Sequence, residues 1–371
     1  MLLRKINDLV LDKIPSIDKT VDSLRERSTD YVNFAIDEVW RASNWEFRKR
    51  TGQLALEPTY DTGTASITKY DGTNLNAART VTLSASLPFD VRGRYFKPNN
   101  SSSNYRIITG ASGGTTLFLE SPVIDSTNGS IAFDIWKRFY YLKSDVDVLL
   151  DIRRWDGGGS LEYSPSPKMS RSNANLDTEG APKYFSVYGI DPNDDIEYET
   201  GTISIAENSN TVTGVSTAFV GNADSGDILI VNNSRYIIKR VESNTSLILY
   251  NYVPIPIAAG TSYSIKKNNP LAIPFFNPTD AYRTLDYEYL VKSYSLVNED
   301  YDDLLLDMDY IDAIILNAQA AWLEHKDYQK YIQIYSLYQA KLNGLKIKKR
   351  VVAPRFRQFE PYINPNLPGR D

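Results

Sequence analysis

"TGTASI", residues 62–67, returns downstream as "TGTISI", residues 200–205, with five of six letters unchanged. Reading outward from each copy, the same landmarks follow in the same order. A Tyr precedes paired isoleucines (Tyr105, Ile107, Ile108; Tyr236, Ile237, Ile238), then comes a small polar turn. An alternating apolar run follows (Leu117, Leu119; Leu247, Leu249), then a Gly and a closing strand, "NGSIAFDI" in one copy and "AGTSYSI" in the other. Similarity at matched offsets over roughly 65–75 residues marks an internal repeat. The pattern predicts two similar antiparallel β modules, at 61–136 and 200–266.

The 371 residues allow two to four domains. Hydrophobic residues make up 42% and charged residues 23%, the balance of a globular protein. The 26 tyrosines suit half-buried surfaces at interfaces, or strands rich in Tyr. With no cysteine, disulfides, thiolate metal sites and cysteine nucleophiles are all excluded, which fits synthesis in a reducing cytoplasm. The opening "MLLRKINDLVLDKIP" intersperses charge among apolar residues, unlike a signal peptide, and no run is long enough for a membrane span. A formal charge of −5 argues against an overall electrostatic grip on nucleic acid. Its distribution is uneven. Residues 299–325 hold eight acids and no Lys or Arg, whereas 341–371 hold eight Lys or Arg against two acids. Such a helix is acidic where it begins and basic where it ends, and both favour its dipole.

Outside the repeats, residues 1–45 read as helical. Leu2, Leu3, Ile6, Leu9 and Val10 recur at helical spacing before Pro15, and Val32, Ile36, Val39 and Trp40 form the stripe of a second helix. That second helix is expected to break near Ser28-Thr29-Asp30. Trp45 and Phe47 lead into the strand "GQLALEP", and 46–60, 137–199 and 267–301 together read as a β core. Within it "LAIPFFNPTDAYRTLDYEYLVKSY" suggests two strands around an Asn-Pro turn. Residues 302–346 repeat apolar side chains every three or four positions, from Leu304, Met308, Ile311, Ile315, Ala318 and Trp322 on to Tyr328, Ile332, Tyr335 and Tyr338 or Leu342. The face shifts at "EHKD", so either two helices or a kinked one is expected, with Gly344 as the stop. Helices 1–45 and 302–346 each need a partner for an apolar face and are expected to pack together. Residues 347–371, with four prolines, are expected to form an extended arm. The predicted class is therefore α+β: a terminal helical bundle, a small antiparallel β core, two inserted barrel- or sandwich-like modules, and the arm.

Catalytic patterns are missing. One histidine, His325, cannot build a zinc cluster; a triad would have to use it, and there is no nucleophile elbow, Walker loop or dinucleotide fingerprint. "DGGGS" (156–160) reads as a turn, "DPNDD" (191–195) as a turn, and "DYDDLLLDMD" (300–309) as an acidic helix start. No catalytic, cofactor or metal residue is assigned, and the chain is read as a non-enzyme.

In order, the non-module parts resemble the head–tail adaptor proteins of tailed bacteriophages, the head-completion or tail-tubular-A-like proteins. The resemblance rests on helices ending in "SNWEF" (43–47), on "FYYLKSDVDVLLDI" (139–152) and on "EGAPKYFSVYGI" (179–190). It continues through "IPFFNPTDAYRTLDYEYLVKSY" (273–294) and the helical 310–346, covering somewhat more than half of the chain. The modules are the departure. The resemblance implies a structural virion protein of the neck, made in the host cytoplasm, forming a homo-oligomeric ring of twelve copies between the portal protein and the next tail protein. DNA would pass through its lumen during ejection without sequence-specific binding. The alternative is another tail component: tail tube, baseplate, or a receptor- or glycan-binding protein. In the arm, Arg355, Phe356, Arg357, Phe359 and Tyr362 are the expected partner-binding residues, because aromatic and Arg side chains anchor interfaces and proline stiffening lowers the entropy lost on docking.

Overall fold

The structure, a computed structural model, describes residues 1–12, 22–126, 128–154, 159–164, 182–189, 197–268, 271–275, 281–296, 304 and 306–352. Among them are five α-helices: α1 (Leu3–Leu11), α2 (Asp22–Arg41), α3 (Leu75–Arg79), α4 (Met308–Leu323) and α5 (Tyr328–Val352). The sheets are mostly antiparallel, so the class is α+β. The chain divides into two units, Met1–Trp45 with the residues from Ser295 onward, and Glu46–Tyr294.

The Glu46–Tyr294 unit opens with β1 (Lys49–Leu56). A seven-stranded sheet follows: β2 (Ala65–Ile67), β3 (Thr80–Leu83), β4 (Tyr95–Pro98), β5 (Tyr105–Thr109), β6 (Thr116–Leu119), β7 (Gly129–Ile131) and β8 (Phe133–Trp136). Next come β9 (Phe139–Tyr141), β10 (Val146–Arg154), β11 (Glu162–Tyr163) and β12 (Tyr184–Phe185). The second seven-stranded sheet holds β13 (Thr202–Ile205), β14 (Ser209–Val215), β15 (Ile228–Val231), β16 (Ser234–Ser243), β17 (Ser246–Val253), β18 (Ile257–Thr261) and β19 (Ser264–Lys266). Two strands close the unit, β20 (Ala272–Pro274) and β21 (Arg283–Val291).

The two large sheets have one strand order. It is β7-β2-β3-β6-β5-β4-β8 in the first and β18-β13-β14-β17-β16-β15-β19 in the second. Their registers also correspond. Ile107 faces Leu119 and Thr109 faces Phe118, skipping Ile108; Ile238 faces Leu249 and Arg240 faces Ile248, skipping Lys239. A bulge at the same place bends both sheets. Gly63 and Gly201, the glycines of the two TGT stretches, have φ of 93° and 85°, a left-handed turn that glycine makes without a Cβ penalty. Each sheet closes on its own apolar core: Phe96, Ile107, Leu117, Leu119 and Phe133 in one, Phe219, Leu229, Ile238, Leu247 and Leu249 in the other. Tyr60 exchanges two backbone hydrogen bonds of 2.8 Å with Ile135, and Tyr198 does the same with Ile265 at 3.0 and 2.9 Å. Incoming and outgoing chain therefore lie side by side at the base of each sheet.

A further sheet of the unit is three-stranded, in the order β1-β21-β10. Leu285, Tyr287 and Tyr289 alternate inward along β21. Gly52 in β1 has no side chain because the Tyr287 ring lies where a Cβ would be, 2.2 Å from its Cζ. The stretch expected to form two strands around an Asn-Pro turn does supply β20 and β21, but each pairs elsewhere: β20 with β9, and β21 with β1 and β10. The short pair β11–β12 is parallel, an exception to the antiparallel core expected there.

In the helical unit, α2 packs on α4, α4 on α5, and α1 on both α2 and α4. Val32, Ile36, Val39 and Trp40 are buried, each of the aliphatic side chains contributing about 1.5–3 kcal/mol as an upper estimate. The expected break in α2 does not occur. Ser28 donates from Oγ to Asn7 Oδ1 (3.0 Å) and Thr29 from Oγ1 to the Arg25 carbonyl (3.1 Å), so the polar run bonds to α1 and to its own helix while the helix continues. Residues from Ser295 group with the helices and not with the β core. Leu296 is held by Asn33, whose amide donates to its carbonyl and accepts from its N–H, both at 2.8 Å. Gly344 is not a stop either: α5 runs through it to Val352, so residues 347–352 are helical where an extended arm was expected. No proline occurs between Tyr328 and Pro354, and one interior glycine costs only about 1 kcal/mol.

Candidate interaction surfaces

α4 and α5 meet at a break after Leu323, where the Lys326 and Asp327 N–H groups both return to the Leu323 carbonyl. Beyond the break, the apolar stripe of α5 divides. Tyr338, Leu342 and Leu345 are buried, whereas Tyr328, Ile332 and Tyr335 are exposed, Tyr328 at 66% and Ile332 at 50%. The tyrosines form a ladder along the helix, with ring centroids of Tyr328–Tyr331, Tyr331–Tyr335 and Tyr335–Tyr338 separated by 5.9, 5.5 and 5.8 Å. Burial pushes the Tyr338 hydroxyl up to about 12, so the inner end of the ladder stays neutral.

Beside this ladder a groove of about 510 Å³ lies between α2, α4 and α5. Phe34, Tyr331 and Tyr335 wall it, Glu38, Arg41, Glu324 and Lys346 supply charge, and Asn317 lies among its lining residues. Asn317 is 95% buried, at 5% exposure, and its Nδ2 has no hydrogen-bond partner among the described residues. The groove thus offers aromatic walls, charge of both signs and an unused amide donor, the composition that takes an aromatic or Arg anchor from a partner. Along the other side of α5, Lys341 bridges Asp309 (2.9 Å) and Asp312 (3.1 Å), and Lys348 reaches Asp309 at 2.6 Å. Hydrogen bonds from Lys348 and Lys341 hold the Asp309 carboxyl down to about 2. The acidic-then-basic charge pattern thus joins two helices side by side, beyond what it does for each helix dipole.

In the other unit the large sheets present equivalent positions of opposite charge. Gly93 and Gly226 both adopt positive φ and both donate to the carbonyl of the inner isoleucine, Ile107 or Ile238. The next residue is Arg94 in the first sheet and Asp227 in the second, both buried. Arg94 is paired with Glu57, which Lys137 also approaches at 3.5 Å. Burial works against ionisation of Glu57, yet Lys137 and Arg94 hold its carboxyl below the usual range. Asp227 accepts from Ser144 Oγ (2.5 Å) and Lys267 Nζ (2.9 Å). Burial outweighs those partners and raises its carboxyl. Gly226 sits against the backbone of Ser144 and Asp145, so the second sheet is latched to the chain before β10.

The expected partner-binding residues Arg355, Phe356, Arg357, Phe359 and Tyr362 lie outside the described residues, as does "DPNDD" and most of "DGGGS". His325 is exposed. Among the described residues no group of three His, Cys, Asp or Glu could hold a metal ion, and no helix is long and apolar enough to cross a membrane. Periodicity marked the α5 stripe but not which half of it is covered. The Arg94 and Asp227 positions carried no local signal beyond a preceding glycine. No protein-family model matches the chain, and the comparison with curated proteins finds no match.

Proposed function

We propose that the chain is a structural virion protein, a subunit of the adaptor ring between the portal and the tail of a tailed bacteriophage. In this reading the terminal segments form the helical bundle that contacts neighbouring subunits. The two large sheets are inserted barrel-like modules, and the residues after α5 form an extended arm. The observation that carries the reading is the divided stripe of α5: Tyr328, Ile332 and Tyr335 are exposed on the same stripe whose later members Tyr338, Leu342 and Leu345 are buried. A neighbouring copy would cover Tyr328 and Ile332, and the groove beside them would take the anchors of an arm, Phe356 or Phe359 with Arg355 or Arg357. The side-by-side base strands support insertion, since a module joined this way adds to a chain without displacing its ends. Net charge of −5 suits a lumen through which DNA slides, since phosphate affinity comes from Lys and Arg.

Negative-stain imaging of the purified chain, alone and with portal protein, tests the proposal. Rings seated on portals are expected, and twelve copies follow from the adaptor resemblance. A chain that stays monomeric under both conditions would exclude the adaptor role.

A further inference from the structure

The stretch before β10 and the turn before β15 are joined through two buried carboxylates, Asp145 at 7% exposure and Asp227 at 0%. Asp227 has a cation, since Lys267 Nζ reaches it at 2.9 Å. Asp145 has none. Its Oδ2 accepts from Ser225 Oγ (2.8 Å) and Tyr289 OH (3.3 Å). Its Oδ1 is buried with no hydrogen-bond partner, and no Lys or Arg forms an ion pair with it among the described residues. The Asp145 N–H also donates to the Ser225 carbonyl at 3.3 Å, so side chain and backbone of one residue both hold the turn of the second sheet. A carboxylate buried without a cation is costly, and it sheds that cost by taking up a proton or by opening to water.

We propose that Asp145 makes this latch a proton-dependent fastener of the second sheet, closed when Asp145 is protonated and opening more readily when it is ionised. The groups around Asp145 leave its charge uncompensated. Tyr287 and Tyr289 of β21 and Tyr250 of β17 are held neutral, their hydroxyls pushed up first by burial. Across the turn, Asp224 and Asp227 share Lys267, at 2.9 Å each. Lys292 Nζ donates to the Ser144 and Asn268 carbonyls at 2.7 and 3.2 Å, and Asp147 is paired with Arg48 at 2.5 Å. Burial therefore raises the Asp145 carboxyl, although Ser225, Tyr289 and the more distant Lys143 act against it. Burial raises Asp227 as well, so it adds to the effect in the same direction. Between the unfolded value, about 3.9, and the raised folded value, the folded protein binds the extra proton. The latch thus gains stability as pH falls toward the unfolded value and loses it as pH rises through the folded one. The first sheet lacks this device: Glu57 there meets Arg94 and Lys137, which hold its carboxyl below the usual range. The one histidine, His325, lies outside the Glu46–Tyr294 unit, so no imidazole titration within the unit can imitate the effect. The inference is independent of the ring proposal, since it concerns how one sheet is fastened within a single chain.

Hydrogen–deuterium exchange of the full chain at pH 5 and pH 7.5, corrected for the pH dependence of the intrinsic rate, tests the proposal. Peptides covering 143–146 and 224–227 should be about tenfold better protected at pH 5, the change that one unit of raised pKa gives. Peptides covering 57–60 and 93–96 should keep their protection. Asp145→Asn removes the charge and should bring protection at pH 7.5 to the level the parent shows at pH 5, with little further change on acidification. Ser225→Ala withdraws a donor from the ionised form and should lower latch protection more at pH 7.5 than at pH 5; it decides the matter if the Asp145 variant does not fold. The proposal is overturned if latch protection is equal at both pH values or if the first sheet changes in parallel. It is equally overturned if folded Asp145→Asn keeps the pH dependence of the parent, or if Ser225→Ala loses the same protection at both pH values.

Discussion

Gly226 shows how one missing side chain fixes the placement of a whole sheet. Its φ is 87°, and an added Cβ would stand 2.2 Å from the Asp145 backbone nitrogen. Gly260 has nearly the same φ, 85°, but open space around it. Gly226→Ala should therefore cost about 3 kcal/mol or more and Gly260→Ala about 1 kcal/mol, measured by urea denaturation. Equal losses would show that backbone conformation alone matters there. Asp125 supplies a second residue-scale test. Partial burial opposes its ionisation, but hydroxyls of Ser101, Tyr105, Ser103 and Ser102 donate to it and hold its carboxyl well below the usual range. The folded pKa lies below the unfolded value of about 3.9, so this stabilisation is complete above that pH and fades as pH falls below it. Asp125→Asn should cost about 1–2 kcal/mol at pH 7 and flatten the loss of stability between pH 4 and 2. An unchanged acid profile would remove Asp125 from the account.

At the scale of elements, α5 carries the clearest test. Gly344 is exposed within the helix, and a Cβ there would meet nothing within 4 Å. Gly344→Ala should raise stability by about 0.5–1 kcal/mol, read as an increase in Tm. A decrease would mean that Gly344 has a packing role. Ile332→Asp combined with Tyr328→Asp should leave helicity and Tm close to the parent and reduce self-association in light scattering; intact oligomers would place the subunit contact elsewhere. α5 also shows what sequence reveals and what it hides. Local periodicity and turn chemistry are written in neighbouring residues, so the strands after each TGT stretch and the stripe of Val32, Ile36, Val39 and Trp40 could be read directly. Misreadings arose where a distant partner decides. Ser28 and Thr29 look like a helix break until Asn7 is known to receive Ser28, and Gly344 looks like a C-cap although nothing in α5 requires it to end there. The same limit hid the candidate sites. Arg94 meets Glu57 across 37 residues and Asp227 meets Ser144 across 83, and no window of sequence holds both partners.

The whole molecule combines a helical unit that leaves part of one helix uncovered with a β unit that repeats one sheet topology twice. Both features have a natural place in an assembly, where a helical face meets a neighbour and added sheets extend the subunit without breaking its chain path. The two sheets end in unlike latches. The first ends in an Arg with an unused donor, while the second ends in a buried Asp already met by Ser144 and Lys267. Electron cryomicroscopy of the chain assembled with portal protein tests the central claim most directly. A closed ring is predicted, with Tyr328 and Ile332 of each subunit covered by its neighbour. Monomers beside bare portals, or a ring that leaves this face of α5 in solvent, would contradict it.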